Sequence, residues 1–179
     1  WKEIDALNEK FTGFQLIKGT ECDILPDGDL DYDDKLLAQF DYVVASVHTH
    51  FTQTREQMTE RIMKAMRNPH VDILGHATGR LLLRREGYAL DLDAIMKCAA
   101  ETGTIIEINA HPARLDLDWL HVKQAKALGV KFAINPDAHA TDEIGLIRFG
   151  IDVARRGWLT KADVINTRTW AQAKKLLKQ

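Results

Sequence analysis

The segment Ala133-Ile134-Asn135-Pro136-Asp137-Ala138-His139 puts an aspartate and a histidine two residues apart, just after an apolar run. A carboxylate and an imidazole on one short loop are donors for a divalent ion. By itself the pair says little, because a solvated loop with a helix N-cap aspartate has the same composition. The pattern recurs upstream, however. Apolar runs also end in Glu21, in His48 and in His76. Four strand-like segments that each deliver Glu, His or Asp at the carboxyl end point to a metal site assembled from several strands.

That donor set suits zinc, manganese and iron alike. A carboxylate such as Glu21 can bridge two ions, and two ions about 3.5–4 Å apart clamp a phosphoryl group and activate water. The loop after His76 carries Arg80, Arg84 and Arg85, whose guanidiniums match phosphate oxygens. Together these residues point to phosphoester hydrolysis, with Arg80 and Arg84 as substrate contacts. Each also has a plainer role: Asp137 as an N-cap, Glu21 as a surface carboxylate, the arginines as a solvated loop. His50 reads as supporting or surface, and His70 and His121 as structural. His111 stays open, since it follows a strand but precedes Pro112. Met58, Met63 and Met66 read as core.

The elements that must position these residues alternate. Residues 1–11 space Trp1, Ile4, Leu7 and Phe11 as the last turns of a helix that begins upstream. A strand is expected over 14–21, with Leu30 extending a short one, and a short helix over 33–40. Strand 42–48 precedes an amphipathic helix near 54–67, capped by Thr52 or Thr54 and stopped at Asn68-Pro69. Strand 71–76 is followed by the arginine loop and then by a helix from 90 that ends at Gly103. Next come strand 104–109, a helix over 115–129 with Leu117, Leu120, Val122 (or Ala125) and Leu128 inward, and strand 130–135. Helices near 142–156 and 169–178 close the chain, with a short strand at 163–165 between them.

Alternating βα units imply an α/β fold with a parallel sheet, doubly wound or closed as a barrel. No Gly-x-Gly-x-x-Gly follows a strand, which argues against a dinucleotide fold. The candidate residues are spread over many strand ends, and this favours a barrel. A length of 179 residues fits one domain, 1–179, and 45% hydrophobic with 28% charged content is ordinary for a globular chain. A net charge of −2 gives no bulk attraction to nucleic acid or membrane. Cys22 and Cys98 form no CxxC, so a reducing, cytoplasmic setting is expected. No apolar run approaches the roughly 20 residues of a membrane span.

The stretches GTECDIL, ASVHTHF, DILGHATGRLLLRREGY, EINAHPARLDLDW and INPDAHA resemble the polymerase-and-histidinol-phosphatase (PHP) domain. More narrowly, the chain is similar to the carboxyl-terminal PHP domain of bacterial family X DNA polymerases. The resemblance implies a distorted (β/α)7 barrel, here lacking its first two βα units, with a metal cluster at the strand ends. It also implies a manganese- or zinc-dependent phosphoesterase that acts as a 3′–5′ exonuclease in DNA repair and meets DNA through the parent polymerase. By motif position, Glu21, His48, His76, Asp137 and His139 match family ligands, with Glu21, Asp137 and His139 at the catalytic centre. The family's opening His-x-His, the aspartate after it and a further histidine have no counterpart here. On that scheme Glu21, His48 and His76 complete one metal position, Glu21 and Asp137 supply half of a second, and His139 alone remains for a third. A small-molecule phosphatase and a non-catalytic structural PHP domain are the competing readings.

Overall fold

In the computed structural model residues 1–178 are described. The sheet has five strands: β1 (Gly19–Asp23), β2 (Tyr42–Ser46), β3 (Ile73–Leu74), β4 (Ile105–Asn109) and β5 (Phe132–Asn135). Every pairing is parallel and the spatial order is the sequence order. Such an order has no reversal and so no topological switch point; it winds the way a barrel does. Phe132 and Val164 add one parallel bridge beyond β5, where the short strand at 163–165 was expected. Leu30, expected to extend a short strand, makes an antiparallel bridge with Ile24 just after β1.

The α-helices are α1 (Lys2–Asn8), before β1, then α2 (Asp34–Leu37), α3 (Arg55–Arg67), α4 (Leu92–Thr102) and α5 (Trp119–Ala127) between successive strands, and α6 (Ile147–Arg156) and α7 (Trp170–Ala173) after β5. Thr54, not Thr52, caps α3, and with Gln57 it forms a capping box. Gly103 ends α4 in the left-handed conformation that only glycine adopts freely.

Alternation along the strands separates two faces. Ala45, Leu74, Ile106, Ile108, Phe132 and Ile134 face the helices in the main core with Met58, Ile62, Met66, Ile95 and Met96. On the other face Ile73, Ile105 and Ala133 meet Tyr42, Val44, Ile165 and Leu177. The carboxyl-terminal segment therefore folds across the inner face. It is fastened there by the Lys178 N–H donating to Asp72 Oδ1 at 2.8 Å.

Three expectations need correction. β1 begins at Gly19 rather than 14 and continues past Glu21 to Asp23. The helix expected over 115–129 begins only at Trp119. Asp118 caps it by accepting from the Leu120 and His121 N–H groups, and Asp116 instead bridges to Asn109 of β4. Leu117, Val122 and Ala125 are buried as expected, Leu117 from ahead of the helix, but Leu120 is left 53% exposed and Leu128 43%. The helix expected near 142–156 opens instead with a 3-10 helix, Thr141–Leu146, before α6.

α6 reaches the sheet through Gly150. A Cβ there would lie 2.6 Å from Ile134 Cγ2 and 2.8 Å from Ala110 Cβ. Gly150→Val should lower unfolding free energy by about 1–3 kcal/mol through overpacking, read by urea denaturation. Unchanged stability would mean that α6 does not sit tightly on β4 and β5.

Candidate metal centre

The parallel register aligns Glu21 with Val44, and Val44 with Ile73. Glu21 thus stands on the same rim as the residues that follow β2 and β3, namely His48 and His76. Their donors converge. His48 Nε2 lies 3.3 Å and His76 Nε2 3.1 Å from Glu21 Oε1. The two rings meet edge to face, with centroids 5.2 Å apart. One ligand atom from each residue lies within 4.8 Å of the others, and among the described residues no other group of three His, Cys, Asp or Glu side chains does so.

This spacing fits an ion. Donors held at about 2.0–2.1 Å from a tetrahedral zinc lie about 3.3–3.4 Å apart, close to the two distances found. The outer shell fits as well. Asp23 Oδ1 lies 2.5 Å from His48 Nδ1. A carboxylate at one imidazole nitrogen leaves the other free to face a metal, as in carboxylate–histidine–metal triads. Arg61, buried on α3, fastens the surrounding loops. Its guanidinium donates to the Ile24 and Thr49 carbonyls, just after Asp23 and His48.

His76 is buried, and its N–H donates to Glu107 Oε2 at 2.7 Å. Asn135 Nδ2 donates to Glu107 Oε1 at 2.8 Å, and Asn109 Nδ2 to Oε2 at 3.2 Å. Burial pushes the Glu107 carboxyl above the usual carboxylate range, while these donors pull the other way. Asp116 is a second buried carboxylate. It accepts from the Thr78 N–H and hydroxyl, each at 2.9 Å, and burial raises its pKa too.

Asp137 stands outside the three-residue cluster. It accepts from Asn109 Nδ2 at 3.0 Å and faces Arg114 Nε at 3.3 Å. His139 shares its loop with the side chain 81% exposed and Nδ1 3.9 Å from Asp137 Oδ1. The five candidate ligands therefore form a compact trio and a separate pair. His111 turns back on its own loop, where Nδ1 accepts from the Ala113 N–H at 3.1 Å. His121 pairs with Asp118 at 2.8 Å, a local structural contact.

The arginines divide in role. Arg80 donates to the Arg114 carbonyl at 2.9 Å and to the Leu115 carbonyl, and faces Asp118 at 3.7 Å. Arg85 binds the Gly79 carbonyl and covers the Phe51 ring at 4.3 Å. Arg84 is exposed on the same loop.

Without an ion, the trio holds its geometry by charge. Hydrogen bonds from His48 and His76 keep the Glu21 carboxyl well below the usual carboxylate range despite burial. Glu21, aided by Asp23, pushes the His48 imidazole up to about 9. His48 is then protonated at neutral pH. The stability its ion pair contributes is complete below the ordinary imidazole pKa and is lost as pH rises through about 9.

No family model matches the chain. It is 46% identical over 178 residues to the DNA polymerase/3′-5′ exonuclease PolX of Bacillus subtilis, covering 99% of this chain and 31% of that protein. The chain thus spans about a third of that relative's length. It is 31% identical over 174 residues to a probable phosphatase of Thermoanaerobacter, covering 92% of this chain and 69% of the relative. A probable phosphatase of Clostridium acetobutylicum is 34% identical over 151 residues, covering 79% of this chain and 59% of the relative.

A metal ligand must be deprotonated, so an ion at this trio has to displace the His48 proton. Zinc affinity should rise about tenfold per pH unit between roughly pH 7 and 9 and level off above that. Calorimetry in buffers of different ionisation enthalpy checks it, and a flat profile would remove His48 from the ligand set.

Proposed function

The chain belongs to the PHP family, and on that premise we propose that residues 1–179 form one metal-dependent phosphoesterase domain, acting as a 3′–5′ exonuclease on DNA. The observation that carries this is the convergence of Glu21 Oε1 with His48 Nε2 and His76 Nε2 at one rim of the sheet. We assign Glu21, His48 and His76 as one metal position, with Asp137 and His139 as ligands from the neighbouring loop. Manganese or zinc is the proposed ion. When bound, a divalent ion of this kind polarises a phosphoryl oxygen and lowers the pKa of its water.

The protein's own groups then have separable tasks. Glu21, with its carboxyl held ionised by two imidazoles, supplies negative charge at the centre of the site. Asp23 fixes the His48 ring so that Nε2 faces inward. Arg84 supplies an exposed cation for a phosphate of the nucleic-acid backbone, while Arg80 holds the loop that carries Arg114 toward Asp137. DNA would be the partner, reached as part of a longer polymerase, in the cytoplasm and in the service of DNA repair. No described helix is long and apolar enough to cross a membrane.

A second reading, hydrolysis of small phosphomonoesters, draws on the relative named a probable phosphatase, of which the chain covers 69%. The two readings separate in one assay. In manganese or zinc, the protein carrying this domain should shorten a single-stranded oligonucleotide from its 3′ end, faster than it hydrolyses a simple phosphomonoester. His48→Ala and His76→Ala should each lose at least about a hundredfold. A preference for the monoester supports the phosphatase, and full activity in both variants rules out the trio as the centre.

Arg84→Ala should weaken oligonucleotide binding and reduce its salt slope by about one. Arg80→Ala should instead lower the melting temperature, because it frees the Arg114 and Leu115 carbonyls. Unchanged salt dependence in Arg84→Ala would return that side chain to the solvated surface.

A further inference from the structure

We propose that Glu107 is a positioning residue of the metal site, setting His76 and Asp137 relative to each other from beneath. The proposal rests on the metal-site reading above and adds a residue to which neither motif spacing nor the relatives' names give a role.

Glu107 is the middle residue of β4 and is 5% exposed. On its inner face it reaches both neighbouring strands. One carboxylate oxygen accepts the His76 N–H, just beyond β3, at 2.7 Å. The other accepts from Asn135 Nδ2, at the end of β5, at 2.8 Å. Asn109 extends the link: its Nδ2 donates to Glu107 at 3.2 Å and to Asp137 Oδ2 at 3.0 Å. The orientation of that amide is set independently, because Asn109 Oδ1 accepts the His111 N–H at 3.1 Å. Its NH2 must therefore face both carboxylates.

Every group facing Glu107 in this network is a donor. A carboxylate, with acceptor oxygens only, satisfies all three. A carboxamide of the same shape lacks the charge and must present its NH2 to Asn135, which forces the Asn135 amide to turn and offer Oδ1. The demand is for charge and acceptor geometry and not merely for volume. His76 and Asp137 both sit at positive φ, 21° and 54°, so their backbones follow no regular strand geometry. The hydrogen bonds from Glu107 and Asn109 are what tie these two turns together. Outer groups of this kind commonly change metal affinity by about 10–100-fold when removed.

The donor logic supplies a compensating variant. Glu107→Gln removes the charge and places an NH2 against Asn135, whose amide must turn to accept it. Adding Asn135→Asp makes that partner an acceptor in either orientation and returns the negative charge to the network, so the net charge is unchanged. Zinc titration calorimetry on the 179-residue chain should show at least tenfold weaker binding for Glu107→Gln. The double variant should return to within about threefold of wild type. In the metal-free chain, NMR should show the His76 amide proton exchanging at least tenfold faster in Glu107→Gln, with protection regained in the double variant. A residue serving only stability would lower the melting temperature of the single variant and leave zinc affinity alone; that result overturns the proposal. If Glu107→Gln does not fold, the double variant decides. Wild-type affinity there supports the proposal, and weak binding or failure to fold overturns it. A wild-type chain that takes up no zinc while Glu107 still protects the His76 amide would sink the metal-site reading, and the positioning role with it. The exchange data distinguish that case from a failure of Glu107 alone.

Discussion

The site depends first on the parallel register of β1, β2 and β3. Glu21 stands level with Val44, and Val44 with Ile73. Side chains in a strand alternate faces, so a slip of one residue would turn Glu21 away from both histidines. Only in this register can one carboxylate oxygen lie 3.3 Å from one imidazole nitrogen and 3.1 Å from another. The tight approach of β3 to β2 belongs to the same constraint: a Cβ at Gly75 would fall 2.2 Å from Ser46 Oγ. The residue before His76 must therefore have no side chain if the strands are to lie this close. The helices then hold the strands in that register from the outer face, where Met58, Ile62, Met66, Ile95 and Met96 fill the layer between them.

Much of this arrangement was legible in the chain. The alternation of apolar runs with amphipathic stretches announced a parallel α/β sheet, and a polar donor closing several runs announced a shared rim. His48 and His76 stand out because each interrupts a buried, β-branched segment at its end. Asp23 was not legible, because the strand was expected to end at Glu21, two residues before it. Only the extension of β1 to Asp23 brings it to His48. Glu107 left a clearer trace, as a lone charge flanked by isoleucines in a strand with no solvent face. Such a residue needs buried donors, but which donors cannot be read locally, since they come from β3 and β5.

Residues 115–118 failed for a related reason. Their apolar spacing continues that of the helix, and local propensity would allow it. Tertiary demands override the pattern there: Asp116 pairs with Asn109 and binds Thr78, while Arg80 takes the Arg114 and Leu115 carbonyls. The same contacts show a second use for the arginines of the loop after His76. Two of its three guanidiniums are engaged with backbone carbonyls, and an arginine with five donors is as useful for fastening a loop as for binding a phosphate.

Two kinds of carboxylate serve this rim, and their environments differ in a way that fits their positions. Glu21 is partly exposed, lies between two imidazoles, and has its carboxyl drawn to low pKa by them. Glu107 is buried, surrounded by neutral N–H donors, and its carboxyl is pushed upward by desolvation. The first has His48 beside it, whose proton an incoming cation can displace. The second has only amide protons around it, which no change of ion or pH near neutrality removes. A charge held by exchangeable protons suits a place where charge will be replaced, and one held by amides suits a fixed support. The His48–Glu21–His76 trio therefore has a defined geometry before any ion arrives, since His48 raised to about 9 keeps a cation on the spot. Binding of a divalent ion then displaces the His48 proton with little repacking, while the Glu107 network beneath stays as it was.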